Sequence, residues 1–257
     1  MSSFDIIIDI LKKEPIKRVK TGLDKLDILL GGGFPENSII LVSGTPGSGK
    51  TIFCYHFINA GLKNNERCLF LTSDERIEKI ICQARTFGFD FETPMRSGLL
   101  KFMYIDLDRS TVYKEMEENI KGGSYSRIVL DSLTPIVETP IWLKGGGYGI
   151  IPSFNDTTPP PSVHHENPVS ITRTYIRRLL SLLYTGKSTA VVTSEIPEGS
   201  RSLSRDSISE FLVDGILIFD LDTTMDRRKL TIRKMRGTRH SLKQHNMEIN
   251  ENGIVIQ

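Results

Sequence analysis

Gly44-Thr45-Pro46-Gly47-Ser48-Gly49-Lys50-Thr51 is the stretch that decides how this chain folds. It satisfies G-x-x-x-x-G-K-[ST] at every fixed position. An apolar run at 39–42 leads into it, and residues 51–63 lead out with Phe53, Phe57 and Ile58 at helical spacing. The spacing predicts a strand, a glycine loop and a helix whose N-terminal amides face an anion. Glycines allow the backbone to curl and approach closely. Lys50 supplies a point charge to the β- and γ-phosphates and Thr51 a hydroxyl to Mg²⁺, so ATP and Mg²⁺ are the expected ligands.

Outward from the loop, strand-like runs at 38–43, 68–72, 100–105, 127–130 and 189–193 alternate with helix-like segments at 77–87, 111–120 and 171–185. This alternation predicts an α/β domain with a mainly parallel central sheet flanked by helices. Runs at 215–219, 229–234 and 253–256 read as a C-terminal antiparallel extension. One domain over 17–257 accounts for these elements, with residues 1–16 as an arm or short helix. Residues 144–168, rich in Gly and Pro and carrying His164 and His165, read as a mobile insertion.

The sequence of 257 residues has a net charge of +2, which provides no global field for a polyanion. Locally, Arg227, Arg228, Lys229, Arg233, Lys234, Arg236, Arg239 and Lys243 follow one another with no acidic residue between them, which reads as a solvated basic face or, alternatively, as a patch for an anionic partner. Cys54, Cys68 and Cys82 lack metal or disulfide spacing and are expected as buried thiols. No membrane-length apolar run or signal-peptide pattern is visible, so a cytoplasmic protein with no membrane partner is expected.

Acidic residues at strand ends complete the expected site. Asp131 closes the apolar run 127–130 and is assigned to Mg²⁺ through water. Asp74 and Glu75 close another, where either carboxylate can orient or deprotonate the attacking water. An N-cap role explains the same pair equally simply.

Thr21-Gly22-Leu23-Asp24, Gly31-Gly32-Gly33, the phosphate loop, Asp74-Glu75, Asp131 and Lys234-Met235-Arg236-Gly237-Thr238 occur in this order. In this the chain resembles the KaiC-like branch of the RecA/RadA superfamily over residues 17–257, as a single-domain, archaeal RadA-paralogue-like member. The resemblance implies a RecA-like ATPase, working slowly, whose nucleotide lies between subunits of a hexameric ring or filament. It casts Lys234, Arg236 and His240 as residues reaching the neighbour's nucleotide, and Thr193, Ser194 and Glu195 as a sensor of the γ-phosphate.

By the same resemblance, residues 140–168 and 196–207, the latter with Arg201 and Arg205, stand where recombinases carry DNA-binding loops. A recombinase paralogue in DNA repair, acting on single-stranded DNA or on another recombinase, is the leading expectation. The alternative is an ATP-dependent regulatory switch or assembly ATPase, capable of autophosphorylation, that a protein partner reads. Asp74 departs from the family's usual glutamate, and this stretch carries one ATPase domain where the clock protein has two in tandem.

Overall fold

The computed structural model describes residues 16–109, 111–138, 168–185, 187–200 and 202–257, with backbone alone at 168–172 and 185. The expected arm before Ile16, the insertion at 144–167 and Arg201 lie outside the described residues. So do His164 and His165.

Arg18–Val19 (β1) pairs antiparallel with Phe34–Pro35 (β2), bracketing Asp24–Leu29 (α1). Ile39–Gly44 (β3) enters the phosphate loop and Lys50–Lys63 (α2) leaves it. Then come Cys68–Thr72 (β4), Ile77–Thr86 (α3), Glu92–Arg96 (α4), Leu100–Tyr104 (β5), Val112–Gly123 (α5), Arg127–Asp131 (β6) and Thr134–Glu138 (α6). The chain continues through Pro168–Thr185 (α7), Thr189–Glu195 (β7), Ser209–Leu212 (α8) and Gly215–Asp222 (β8). Arg227–Met235 (β9), Gln244–Asn250 (β10) and Gly253–Ile256 (β11) end it.

The main sheet has nine strands in the order β11-β10-β9-β8-β3-β7-β6-β4-β5. From β8 to β5 every pairing is parallel, and the remaining three are antiparallel. The expected fold class therefore holds, with two refinements. β8, read from sequence as antiparallel, is the junction: parallel to β3 on one side and antiparallel to β9 on the other. β10 was missed because Gln244–Asn250 is mostly polar, and only Met247 in it is buried.

The strands are apolar on both faces, as parallel strands covered by helices must be. Alternation then sorts the side chains. Ile40, Val42 and Phe70 join Phe53 and Phe57 of α2 in one core, while Ile39, Leu41 and Leu71 join Ile176, Leu179 and Leu183 of α7 in the other. Cys54 and Cys68 are buried as expected, but Cys82 is exposed. The correction follows from helix phase, since on α3 the buried positions are Ile80 and Ala84 and Cys82 lies between them, off that face.

Two buried polar side chains tie the loop helix to distant chain. The Arg127 guanidinium, within the core, donates to Glu66 (2.5 Å), to the Lys20 carbonyl (2.5 Å) and to the Phe57 carbonyl (2.9 Å). His56 of α2 accepts at Nε2 from the Ile254 amide (2.8 Å), which fastens β11 to the helix. Gly253 next door stands at φ +91°, and a Cβ there would fall 2.4 Å from the same ring nitrogen.

Burial pushes the His56 imidazole down from 6.5 to about 4. Below pH 6.5 the unfolded chain therefore binds a proton that the folded chain refuses. Stability is complete above about pH 6.5 and falls as pH drops towards 4, by roughly 3 kcal/mol for a shift of this size. Thermal melting from pH 7 to 4 should show this loss, and His56→Gln should flatten that part of the profile. An unaltered profile in the variant would remove His56 as its cause.

Candidate active site

The carboxyl ends of β3, β4, β6 and β7 open on one side of the sheet, where parallel α/β folds bind ligands. There a cleft of about 470 Å³ is lined by the phosphate loop, Asp74, Glu75, Asp131, Glu195 and Ile249, among others. The structure thus brings together the loop, both acidic strand ends and, from the expected sensor, Glu195.

The loop conformation follows from its glycines. Gly47 and Gly49 stand at φ +77° and +103°, a region that only glycine enters cheaply. A Cβ on Gly44 would fall 2.3 Å from the Phe219 carbonyl. Thr45 and Ser48 carry buried hydroxyls with no partner among the described residues. Such orphaned donors at a helix N-terminus fit an anion seated in the loop. Lys50 folds onto the loop, donating to the Gly44 and Thr45 carbonyls at 3.0 Å each. Burial lowers its pKa, opposed by Glu195 and Asp131.

Asp131 organises the floor of the cleft. One carboxylate oxygen accepts from the Thr51 hydroxyl at 2.8 Å, and the other from the Thr193 hydroxyl. Burial raises the Asp131 pKa, and these two hydrogen bonds lower it. A Thr51 hydroxyl that gives its proton to Asp131 turns its lone pairs outward, as a Mg²⁺ ligand must. Among the described residues no cluster of three or more His, Cys, Asp or Glu forms a cage for a metal.

The acidic pair separates. Asp74 accepts from the Ser132 hydroxyl at 2.8 Å, beside Asp131. One Glu75 oxygen accepts from Lys79 at 2.7 Å, while the other is buried without a partner among the described residues. Serine bonds stitch these strand ends together, since the Ser73 hydroxyl donates to the Ser132 carbonyl at 2.8 Å. Sequence reasoning passed over Ser73 and Ser132 because a serine carries no signal of its own. On the sensor strand, Thr193 faces Asp131 and Glu195 lines the cleft. Ser194 turns away instead, accepting from the Arg205 amide at 3.0 Å.

The other expected residues lie elsewhere. Asp214 adjoins Ile39, the first residue of β3, and bonds to it through backbone and side chain. Arg236 pairs with Asp214 at 3.1 Å, and Lys234 donates to the Glu210 (3.0 Å) and Val213 (2.7 Å) carbonyls. These cations stand at the start of β3, whereas the loop begins at its end. Five residues of strand separate the two, roughly 17 Å. His240 adjoins the same turn, its ring bonding to the Thr238 carbonyl.

The expected single basic patch is therefore corrected. Arg228, at the other end of β9, reaches the Gly47 carbonyl at 3.3 Å, so an extended strand spreads its cations over both ends of the sheet. Arg205 sits at the cleft's rim, bonded to Glu138 at 2.5 Å.

The model of the KaiC ATPase family matches residues 19–140 and 161–257. A UPF0273 protein of Methanocaldococcus jannaschii is 32% identical over 249 residues, covering 94% of this chain and 96% of its own length. One of Pyrococcus furiosus is 30% identical, covering 94% of each. Among solved structures, a KaiC-like protein from Pyrococcus horikoshii superposes with a TM-score of 0.75 at 30% identity, over 95% of this chain and all of that one.

With Asp131 accepting from Thr51, Asp131→Asn should weaken the magnesium-dependent part of ATP binding by about 10–100-fold, as losing a metal's outer partner does. Binding in EDTA should change far less. Titration of a fluorescent ATP analogue with and without Mg²⁺ measures both, and equal losses would make Asp131 a purely structural group.

Proposed function

The chain belongs to the KaiC family of ATPases, and on that premise we propose that it binds Mg²⁺–ATP and hydrolyses it slowly within a ring or filament of its own copies. Each site joins one protomer's phosphate loop to Lys234 and Arg236 of the next, with His240 alongside. The observation that carries this reading is the strand-length separation between those cations and their own loop. An Arg side chain cannot span it, whereas a neighbour in a head-to-tail assembly brings the two ends together.

Charge favours the same arrangement. Asp74, Glu75, Asp131 and Glu195 surround a cleft whose own cation is Lys50. A triphosphate arriving there needs further positive charge, which Mg²⁺ held at Thr51 and Asp131 would supply and to which a trans arginine would add as charge develops in the transition state. Glu75, with its unpartnered buried oxygen, is the proposed base that holds the attacking water. Asp74, tied to Ser132 beside Asp131, would help hold the metal through its water ligands.

For the client, the described residues favour a protein partner over single-stranded DNA or a DNA-bound recombinase. Arg201 and Arg205 share their stretch of chain with Glu198, Asp206 and Glu210, and Arg205 is paired with Glu138. So balanced a loop attracts phosphates weakly. The ATP-bound state is thus read as a switch, with hydrolysis as its timer. The loop reports on the site because Ser194 and Glu138 both hold Arg205.

Two measurements test these proposals. Mixing inactive Arg236→Ala with inactive Lys50→Ala protein should restore part of the turnover, because mixed interfaces pair an intact loop with an intact arginine. No recovery in demonstrably mixed assemblies would sink the interprotomer site. Separately, ATP-bound protein should show little affinity for single-stranded DNA and no DNA-stimulated turnover. Binding whose logarithm falls by about 0.7 per phosphate with log salt, and whose slope flattens when Arg201 and Arg205 become alanine, would restore DNA as the client.

A further inference from the structure

Arg236 is an exposed, flexible side chain, and a donor that must meet phosphate in another protomer gains little by wandering. Arginine is rich in rotamer entropy, which has to be lost before it can serve a transition state. The structure restrains it beforehand. The Arg236 amide donates to the Asp214 carbonyl at 2.9 Å, and its guanidinium donates through Nη1 to Asp214 Oδ1 at 3.1 Å. Nη2 and Nε form no bond among the described residues, so one edge of the guanidinium stays open to a phosphate.

Asp214 is itself fixed. Its Oδ2 accepts from the Tyr184 hydroxyl at 2.6 Å and from the Ile39 amide at 2.9 Å. The carboxylate thus gives one oxygen to the scaffold, α7 and β3, and the other to Arg236. Lys234 is gripped by the carbonyl of the residue just before, Val213. On the far side of the turn Arg18 donates to the Thr238 hydroxyl at 2.5 Å and the Gly237 carbonyl at 3.0 Å.

We propose that Asp214, anchored by Tyr184, is a positioning residue that aims Arg236 at the nucleotide of the neighbouring protomer. The inference rests on the interprotomer site proposed above. Stability does not explain the pair, because an ion pair with its arginine 58% exposed is screened by water and contributes little. Preorganisation does, since misplacing a catalytic group by about 1 Å can cost two orders of magnitude in rate. Burial and the neighbouring carboxylate raise the Tyr184 pKa, so the phenol keeps the proton it donates.

Asp214→Asn separates the two halves of the carboxylate. The amide oxygen can still accept from Ile39 and Tyr184, while the amide nitrogen meets Arg236 without charge or acceptor. The assembled variant should lose between about ten- and a hundred-fold in kcat, with KM for ATP and the melting midpoint close to those of the unaltered protein. Tyr184→Phe, which removes one hydroxyl, should lower kcat in the same direction by less, and carries the test if Asp214→Asn fails to fold.

Asp214→Asn mixed with Lys50→Ala should regain turnover, since its intact phosphate loop then receives an Arg236 held by an intact Asp214. Arg236→Ala mixed with Lys50→Ala is the control. If the control recovers but Asp214→Asn turns over as fast as the unaltered protein or faster, or lowers only its melting midpoint, the positioning role is overturned. If the control itself recovers nothing, the interprotomer site falls first and this inference falls with it.

Discussion

Asp131 is the group on which the rest of this site depends. Its carboxylate ends β6, and its two oxygens accept hydroxyl hydrogens from α2 and β7, so one half-buried anion fixes three elements at once. Removing that anion from water is costly unless hydrogen bonds compensate, and Thr51 and Thr193 provide them. The same two bonds set the direction of the Thr51 lone pairs. The end of β6, the loop helix and Thr193 of β7 are therefore one constraint rather than three.

Its consequence is an excess of negative charge. Asp74 and Glu195 stand in the cleft with Asp131, and Lys50 is held among them by loop carbonyls. Anionic clefts repel anionic ligands, so triphosphate chemistry here requires positive charge from outside the cleft. Magnesium brings part of it. Of the basic run, Arg228 reaches the Gly47 carbonyl of the loop, whereas β-sheet register puts Lys234 and Arg236 at the opposite end of β3.

Much of this was legible in the sequence because it is local. The phosphate loop fits its pattern within eight consecutive residues, Gly44 to Thr51, and the alternation of apolar runs with helical periods announced the parallel sheet. Where the signal is weaker than the tertiary context, reading failed. Gln244–Asn250 has too few apolar residues to declare itself a strand, yet β9 and β11 flank it on both edges. Cys82 looked buried among isoleucines, but helix phase turned it outward. The basic run looked like one patch because sequence distance conceals that an extended strand carries its two ends far apart.

The residues that sequence could not supply are those whose partners are remote. Asp214 meets Tyr184, Ile39 and Arg236, and Arg18 meets Thr238 across 220 positions. No spacing rule links them, since only the folded sheet brings them together. Their arrangement also bears on how the two ends of a protomer communicate. β3 runs from Ile39, which Asp214 holds, to Gly44, where the phosphate loop begins. On the proposed interprotomer site, the strand that ends in a protomer's own phosphate loop would also locate the anchor of the arginine it offers its neighbour. In a closed ring each subunit would occupy both roles, so a shift of β3 at one nucleotide would reach the next through a single stiff strand and one ion pair.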